Sequence, residues 1–376
     1  MHADNFNRVY VWFAAAASLA GGTVFLLCSE TAADAVRRGI ELCGVSVIPS
    51  LFPMMFVTQY MMHSGAAELA GRCLDKPTGC LFGLPGVCGV AMLTAFIGGY
   101  PAGARTACTL VENGKITPSQ GKRLATIAFC SGPGFSIGMI GASLYGNQSA
   151  GLLILTAQIL SCILLGTAWH LFCPMKAPSA SVSEKHAPEF PDNRDAFVNS
   201  VVDTAAVMLN MCGFIILFQV ITAVSDTAGI HRALGALTEK AGFGRIGESM
   251  LPCVTEVTAG SILSAAYGLP FTAFVAGFGG LSVHFQNFAV CRSLHIRKPV
   301  YLLTRLIQGI LCGWIVFGAL KLPCFSSAFL PASARMAGGM PTAFSKGPAS
   351  FGCTMLIMCL MSVICLPKSP KECSSP

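Results

Sequence analysis

Charged side chains are scarce in this sequence. Only 11% of its 376 residues are Asp, Glu, Lys or Arg, whereas a soluble globular protein carries about 25%. Too few charges remain to cover a solvent-facing surface, and 53% of the residues are hydrophobic. The composition excludes an ordinary soluble domain and predicts an all-α polytopic membrane protein whose first partner is the lipid bilayer.

Metal, nucleotide and redox motifs are also missing. The 18 cysteines include no C-x-x-C pair, and most lie in apolar runs, where cysteine serves as a small hydrophobic residue. The sequence contains neither H-E-x-x-H nor a G-x-x-x-x-G-K loop. We therefore expect no enzyme activity, no catalytic residue, no metal and no cofactor. The net charge of +7 is spread between apolar runs, which indicates topology signals rather than a nucleic-acid partner.

Eight apolar stretches are long enough to cross a bilayer, since a crossing needs about 20 residues. The first is interpreted as an uncleaved anchor, with a cleaved signal peptide as the alternative. The eight predicted crossings are Val9–Cys28, Ile40–Met62, Leu124–Tyr145, Ala150–Phe172, Val201–Val224, Phe271–Cys291, Val300–Leu320 and Ser350–Leu366.

Two more apolar stretches are interrupted. Leu81–Leu110 contains "GGYPAGA", and Ile246–Tyr267 contains "LPCVTEVTAGS". Each offers two arms of about 10 residues, or about half the hydrocarbon thickness, which predicts a re-entrant hairpin. Non-helical backbone at that depth needs protein or water to satisfy it. Each break is thus a candidate site, although small residues also serve simply for close helix packing.

The positive charges predict the orientation. With cytoplasmic termini, 14 of the 24 Lys and Arg residues fall inside and 8 outside, and Arg105 and Arg305 lie within apolar segments. This bias follows the positive-inside rule. The Pro- and Ser-rich stretch Lys176–Arg194 then forms a cytoplasmic linker between two halves.

The two halves resemble each other. "GGYPAGARTACTL" corresponds to "TEVTAGSILSAAY", and "AFCSGPGFSIG" corresponds to "AGFGGLSVHFQ". Each half has an odd number of full crossings, so the second copy is inverted, as in many secondary transporters. The predicted organisation is an anchor helix and amphipathic loop (1–39), a first repeat (40–172), a linker (173–199), a second repeat (200–320) and a C-terminal segment with a last helix (321–376).

Two predicted crossings also contain glycine-rich breaks, "CSGPG" and "GGLSVH", which makes four breaks with the two hairpin tips. Residues at these four breaks are the candidate binding residues. Glu256 would cost on the order of 3 kcal/mol uncompensated at the bilayer centre; its alternative role is to cap a hairpin arm. His284 is either a titrating group or a packed histidine. The full set is Gly99, Tyr100, Pro101 and Gly103; Ser131 and Pro133; Glu256, Thr258 and Gly260; and Gly279, Gly280, Ser282, His284 and Gln286.

These motifs resemble the sporulation integral membrane protein YlbJ family. The resemblance spans roughly residues 40–320 and includes "VIPSLFPMMFV", "KRLATIAFCSGPGFSIGMIGASLYGN" and "LTRLIQGIL". It departs from the family at Phe129 and Gly132, where relatives often carry asparagine. The resemblance implies a nucleoside-recognition Gate domain and a transporter-like core in the inner membrane of an endospore-forming bacterium.

We therefore expect a sporulation protein that binds or moves a small solute, nucleoside-like or another metabolite, together with a coupling ion. The alternative is a non-transporting scaffold for assembly of the spore envelope. An intramembrane enzyme is disfavoured, because Ser282 and His284 have no evident third partner.

Overall fold

The computed structural model describes residues 2–175, 193–242 and 247–322. Within these ranges the chain forms fifteen α-helices and no strand, as an all-α protein should. In chain order they are α1 (His2–Leu27), α2 (Ser29–Leu42), α3 (Ile48–His63), α4 (Ala66–Phe82), α5 (Gly86–Gly98), α6 (Tyr100–Glu112), α7 (Pro118–Ile127), α8 (Gln148–Phe172), α9 (Asn193–Thr227), α10 (Ile230–Lys240), α11 (Gly247–Thr255), α12 (Val257–Ser264), α13 (Leu269–Phe278), α14 (Gly280–Val290) and α15 (Lys298–Ala319).

Three of these helices, α8, α9 and α15, are long and apolar enough to cross a membrane unaided. Two bent pairs raise the number to five if each is a single crossing: the end of α1 with α2, at 93°, and α4 with α5, at 89°. The polytopic membrane class is confirmed. The count of eight crossings stays a prediction, because Ser350–Leu366 lies outside the described residues and two other predicted crossings are broken.

The sequence predicts an amphipathic loop before the second crossing, and this prediction is wrong. Ser29–Leu42 is helical and continues through a π-helical turn, Cys43–Val47, into α3. Its sequence, "SETAADAVRRGIEL", is rich in good helix formers, which explains the difference. Ala35 and Gly39 form the buried face of α2. The glycine lies so close to α9 that a Cβ would sit 3.1 Å from the Cα of Ile216.

The two interrupted segments are helical hairpins, as predicted. In the first, α5 and α6 pack against each other on either side of Gly99. In the second, α11 and α12 do so on either side of Glu256. Their depth in a bilayer stays a prediction.

Two predicted crossings are broken near their centres. The first runs through α7, non-helical backbone at Ala128–Ser131 and a π-helical segment, Gly134–Leu144. The second is divided into α13 and α14 by Gly279, whose φ is +88°. Glycine adopts that conformation without the steric penalty that a Cβ would bring.

The two halves pack together through these broken elements. Helix α6 of the first half contacts α14 of the second, and α8 contacts α15. At the first contact the Sγ atoms of Cys108 and Cys291 lie 3.2 Å apart. Each thiol also faces a backbone carbonyl of the other helix region, at 3.6 Å: Cys108 that of Val290, and Cys291 that of Ala104. Residues 176–192 of the predicted linker (173–199) lie outside the described residues, and its last seven residues, 193–199, begin α9.

Candidate functional site

The tip of the first hairpin rests on the break of the same half. Gly99 separates α5 from α6 with φ +89°, and a Cβ on it would lie 3.2 Å from the carbonyl oxygen of Ser131. A Cβ on Gly132 would in turn lie 3.0 Å from the Gly99 nitrogen. These two backbone segments are therefore in direct contact, which only glycine permits.

The tip of the second hairpin repeats this arrangement. Glu256 has extended backbone, and its Oε2 accepts a 2.7 Å hydrogen bond from the Ala259 amide, so the side chain caps α12. A Cβ on Gly280 would lie 3.1 Å from the nitrogen of Val257. The second tip thus touches the Gly279–Gly280 break, as the first touches its own.

The two halves meet at the same level. The Tyr100 hydroxyl donates a 2.6 Å hydrogen bond to the carbonyl of Ala276, near the end of α13. The Tyr100 and Phe129 rings lie 4.5 Å apart between centroids. A Cβ on Gly279 would be 2.5 Å from Phe129 Cζ. All four breaks are therefore connected through direct contacts.

A small cavity lies where the breaks meet. Its volume is about 30 Å³, which is the room of one or two water molecules. We call it the Glu256 cavity. Its walls are formed by Val47, Leu51, Gly99, Tyr100, Ser131, Phe135, Met139, Met211, Ile215, Glu256, Val257, Thr258, Val283 and Gln286.

Two wall residues present oxygen atoms without a partner. Glu256 is fully buried, and its Oε1 accepts no hydrogen bond from the described residues. The side-chain oxygen of Gln286 is likewise unpaired, while the Gln286 amide nitrogen donates to the Ser282 hydroxyl at 3.3 Å. An unpaired buried polar atom costs about 1–3 kcal/mol. The cavity therefore offers hydrogen-bond acceptors to a donor or a cation.

His284 lies behind this cavity rather than in its walls. Its side chain is fully buried, and its Nε2 makes a 2.8 Å hydrogen bond to the carbonyl of Phe278, the last residue of α13. Its ring packs edge-on against Phe278, with centroids 4.8 Å apart, and against Tyr301, at 5.5 Å. Histidine here holds one side of the break, and the structure does not bring it to the oxygen atoms of Glu256.

A buried arginine is the largest feature that the sequence analysis missed. Arg305 is completely buried and donates to the Thr126 carbonyl and to the Gln308 side chain. Its guanidinium carbon lies 4.2 Å from the centroid of the Phe129 ring. Among the described residues it has no carboxylate partner. The signal in the sequence was a positive charge within a predicted crossing, Val300–Leu320.

Arg305 and Gln308 satisfy backbone carbonyl groups at the break that follows α7. Thr126 lies in the last turn of α7 and Phe129 lies two residues beyond it, and their carbonyl groups have no helical partner. Arg305 takes the first carbonyl, and the Gln308 side-chain nitrogen takes the second at 2.7 Å. On the other side Gln158 accepts from the Ser131 amide at 2.8 Å. Three long polar side chains thus replace the hydrogen bonds that a continuous helix would have made.

No protein-family model and no solved structure matches the chain. The sporulation integral membrane protein YlbJ of Bacillus subtilis (strain 168) is 25% identical over an alignment of 304 residues, and the match covers 74% of this chain and 74% of YlbJ. The resemblance to YlbJ is confirmed.

The other predicted residues divide into cavity and packing positions. Thr258 joins Glu256 in the wall of the Glu256 cavity, so both of these residues of the motif "TEVTAGS" line the cavity. Gly260 is a packing position, since a Cβ there would lie 2.7 Å from the Cα of Cys253. Gly103 is another, at 2.6 Å from the Ala128 carbonyl oxygen.

The two predicted prolines sit at helix starts. Pro101 occupies the first turn of α6, where its missing N–H costs no hydrogen bond. Pro133 immediately precedes the π-helical segment. Neither lines the Glu256 cavity, and both fix the direction in which the chain leaves a break.

Proposed function

We propose that this chain is a sporulation-associated membrane protein with a transporter-like core that binds or moves a small solute, nucleoside-like or another metabolite. The observation that carries the proposal is the Glu256 cavity, where four helix breaks meet around a buried carboxylate with an unpaired oxygen. The name of its B. subtilis relative, a sporulation integral membrane protein, supports the cellular role.

The unpaired side-chain oxygens in the Glu256 cavity support the proposal that a solute or an ion binds there. A charged residue inside a membrane is costly and is commonly functional. Glu256 and Gln286 both present acceptor oxygens. These oxygens could bind the hydroxyl and N–H groups of a nucleoside, or they could bind a coupling cation. His284 contributes by holding the end of α13, and Arg305 by holding the end of α7.

The size of the Glu256 cavity determines how a solute would enter. Its volume of about 30 Å³ is far below the roughly 300 Å³ at which small-molecule pockets begin. A nucleoside therefore enters only when a hairpin tip moves away from its break. Movement of one half against the other around a central site is how transporters with inverted repeats work.

Uptake measurements test this function. Vesicles that contain the protein would be incubated with external radiolabelled uridine or with one of a panel of other labelled small metabolites. We expect accumulation of at least one of them, and its loss in Glu256→Gln at normal protein abundance, since removing a charge eases membrane insertion. The matched control is Glu239→Gln, at an exposed carboxylate, which should behave like the wild type.

The same variants distinguish a scaffold from a transporter. If no metabolite accumulates while Glu256→Gln supports normal spore formation in the native host, the solute-binding proposal is wrong. The non-transporting scaffold then becomes the better account.

A further inference from the structure

A second and larger cavity lies across the α11–α12 hairpin from the Glu256 cavity. Val257 and Thr258 of α12 face the Glu256 cavity, whereas Ala259 and Leu263 line the larger one. Its volume is about 410 Å³, within the range of small-molecule sites. We call it the polar cleft, and its polar wall residues include Arg38, Gln219, Thr222, Asp226, His231 and Ser249.

His231 is an unsatisfied group in the wall of this cleft. The residue is only 8% exposed, and its Nε2 has no hydrogen-bond partner among the described residues. Its Nδ1 lies 3.3 Å from a carboxylate oxygen of Asp226. Pairing with a carboxylate places the proton of a neutral imidazole on Nδ1, which leaves Nε2 as an acceptor. His231 therefore brings a buried, unpaired acceptor to the wall of the cleft.

The cleft also keeps opposite charges apart. Arg38 on α2 makes no ion pair with any described residue, although Asp226 on α9 and Glu248 on α11 line the same cleft. The neighbouring Arg37 does pair, with Asp34 on the exposed face of α2 at 3.1 Å. A guanidinium and a carboxylate that share a cleft without meeting match a ligand that carries both charges.

We propose that the polar cleft binds a small zwitterionic solute. Its anionic group lies on the Arg38 guanidinium, and its ammonium group lies on the Asp226 carboxylate. Guanidinium and carboxylate both form charge-assisted hydrogen bonds of this kind. The site shares no residue with the Glu256 cavity and goes beyond the function proposed above.

Three probes of nearly equal size test the charge requirement. They are L-serine, which is zwitterionic; L-serine methyl ester, which keeps only the ammonium; and L-lactate, which keeps only the carboxylate. Calorimetric titration of the purified full-length protein should show serine binding at least about tenfold more tightly than either of the others. Equal affinity for the three, or no binding of serine, overturns the proposal.

Single substitutions assign each charge. Arg38→Gln should abolish the preference for serine over its ester, and Asp226→Asn the preference for serine over lactate. Arg37→Gln is the matched control and should keep both preferences. Both cleft residues are exposed, and unchanged melting temperatures would establish that the variants are folded. Wild-type selectivity in Arg38→Gln alone is enough to reject the site.

One further variant separates this proposal from the preceding one. Glu256→Gln should bind serine as the wild type does, because Glu256 is not a wall residue of the polar cleft. Loss of serine binding in Glu256→Gln would place the ligand in the Glu256 cavity and overturn the cleft assignment. Loss of metabolite uptake with intact serine binding would support both proposals.

Discussion

The hydroxyl of Tyr100 donates a hydrogen bond of 2.6 Å to the carbonyl oxygen of Ala276. Tyr100 begins the second arm of the first hairpin, and Ala276 lies in the last turn of α13. The last carbonyls of a helix have no partner within it. A side chain from the first half therefore completes a helix end in the second half, 176 residues away.

Tyr100→Phe should destabilise the protein by about 1–3 kcal/mol, because it leaves the Ala276 carbonyl buried and unpaired. A lower melting temperature of the purified protein would reveal this loss. The matched control is Tyr60→Phe, since Tyr60 makes ring contacts with Phe56 and Phe197 but no hydroxyl hydrogen bond to a described residue. Equal melting temperatures of the two variants would contradict the capping role.

Arg305→Ala should cost more, at least about 2 kcal/mol, because the Thr126 carbonyl and the Gln308 side chain both lose a buried partner. Arg305→Lys should rescue little, since an ammonium lacks the planar fork and stacks less well on Phe129. Abundance in membranes and melting temperature measure both effects. Arg292→Ala, at an exposed arginine, is the control; a lysine variant with wild-type stability would refute the need for a fork.

Gly132→Ala and Gly279→Ala should each destabilise the protein more than Gly114→Ala. All three glycines have positive φ, at +74°, +88° and +66°, so each alanine carries about 1 kcal/mol or more of backbone strain. Only the first two also meet neighbours, since Gly114 has open space around its Cβ position. Thermal melts of the three variants would separate strain from contact. Three equal shifts would show that the breaks do not pack closely.

The orientation predicted from the Lys and Arg residues has both termini in the cytoplasm, and it places the linker between the halves there as well. A cysteine at Ser183, on a cysteine-free background, should resist a membrane-impermeant thiol reagent in sealed cells and react after lysis. A cysteine at the exposed Ala228, at the other end of α9, should react without lysis. Labelling of the Ser183 position from outside would reverse the topology.

Local patterns in the sequence were enough to find the breaks. Gly99, Glu256 and Gly279 interrupt apolar runs and are unfavourable within a membrane helix. Each break can therefore be recognised from a few neighbouring residues. The helical hairpins on either side of Gly99 and Glu256 were predicted on that basis. The same reasoning found the unwound stretch at Ser131.

What connects the breaks could not be predicted. The hydrogen bond from Arg305 to Thr126 joins residues 179 positions apart, and no local pattern encodes such a pairing. The sequence likewise places His284 beside a Gly-Gly break but does not show that its Nε2 bonds the carbonyl of Phe278, six residues away. The sequence predicts an amphipathic loop before the second crossing, where the structure has the helix Ser29–Leu42, whose residues are mostly good helix formers.

The contact between Cys108 and Cys291 has a practical consequence for handling the protein. Their sulfur atoms are 3.2 Å apart, and a disulfide needs about 2.0 Å, so a shift of little more than 1 Å would let an oxidant remove two electrons and two protons and cross-link the two halves. A preparation exposed to air or to copper phenanthroline would then become a mixture of locked and unlocked molecules. Reductant during purification keeps the sample uniform. When the reductant is removed on purpose, the rate at which the disulfide forms measures how often the two halves move relative to each other.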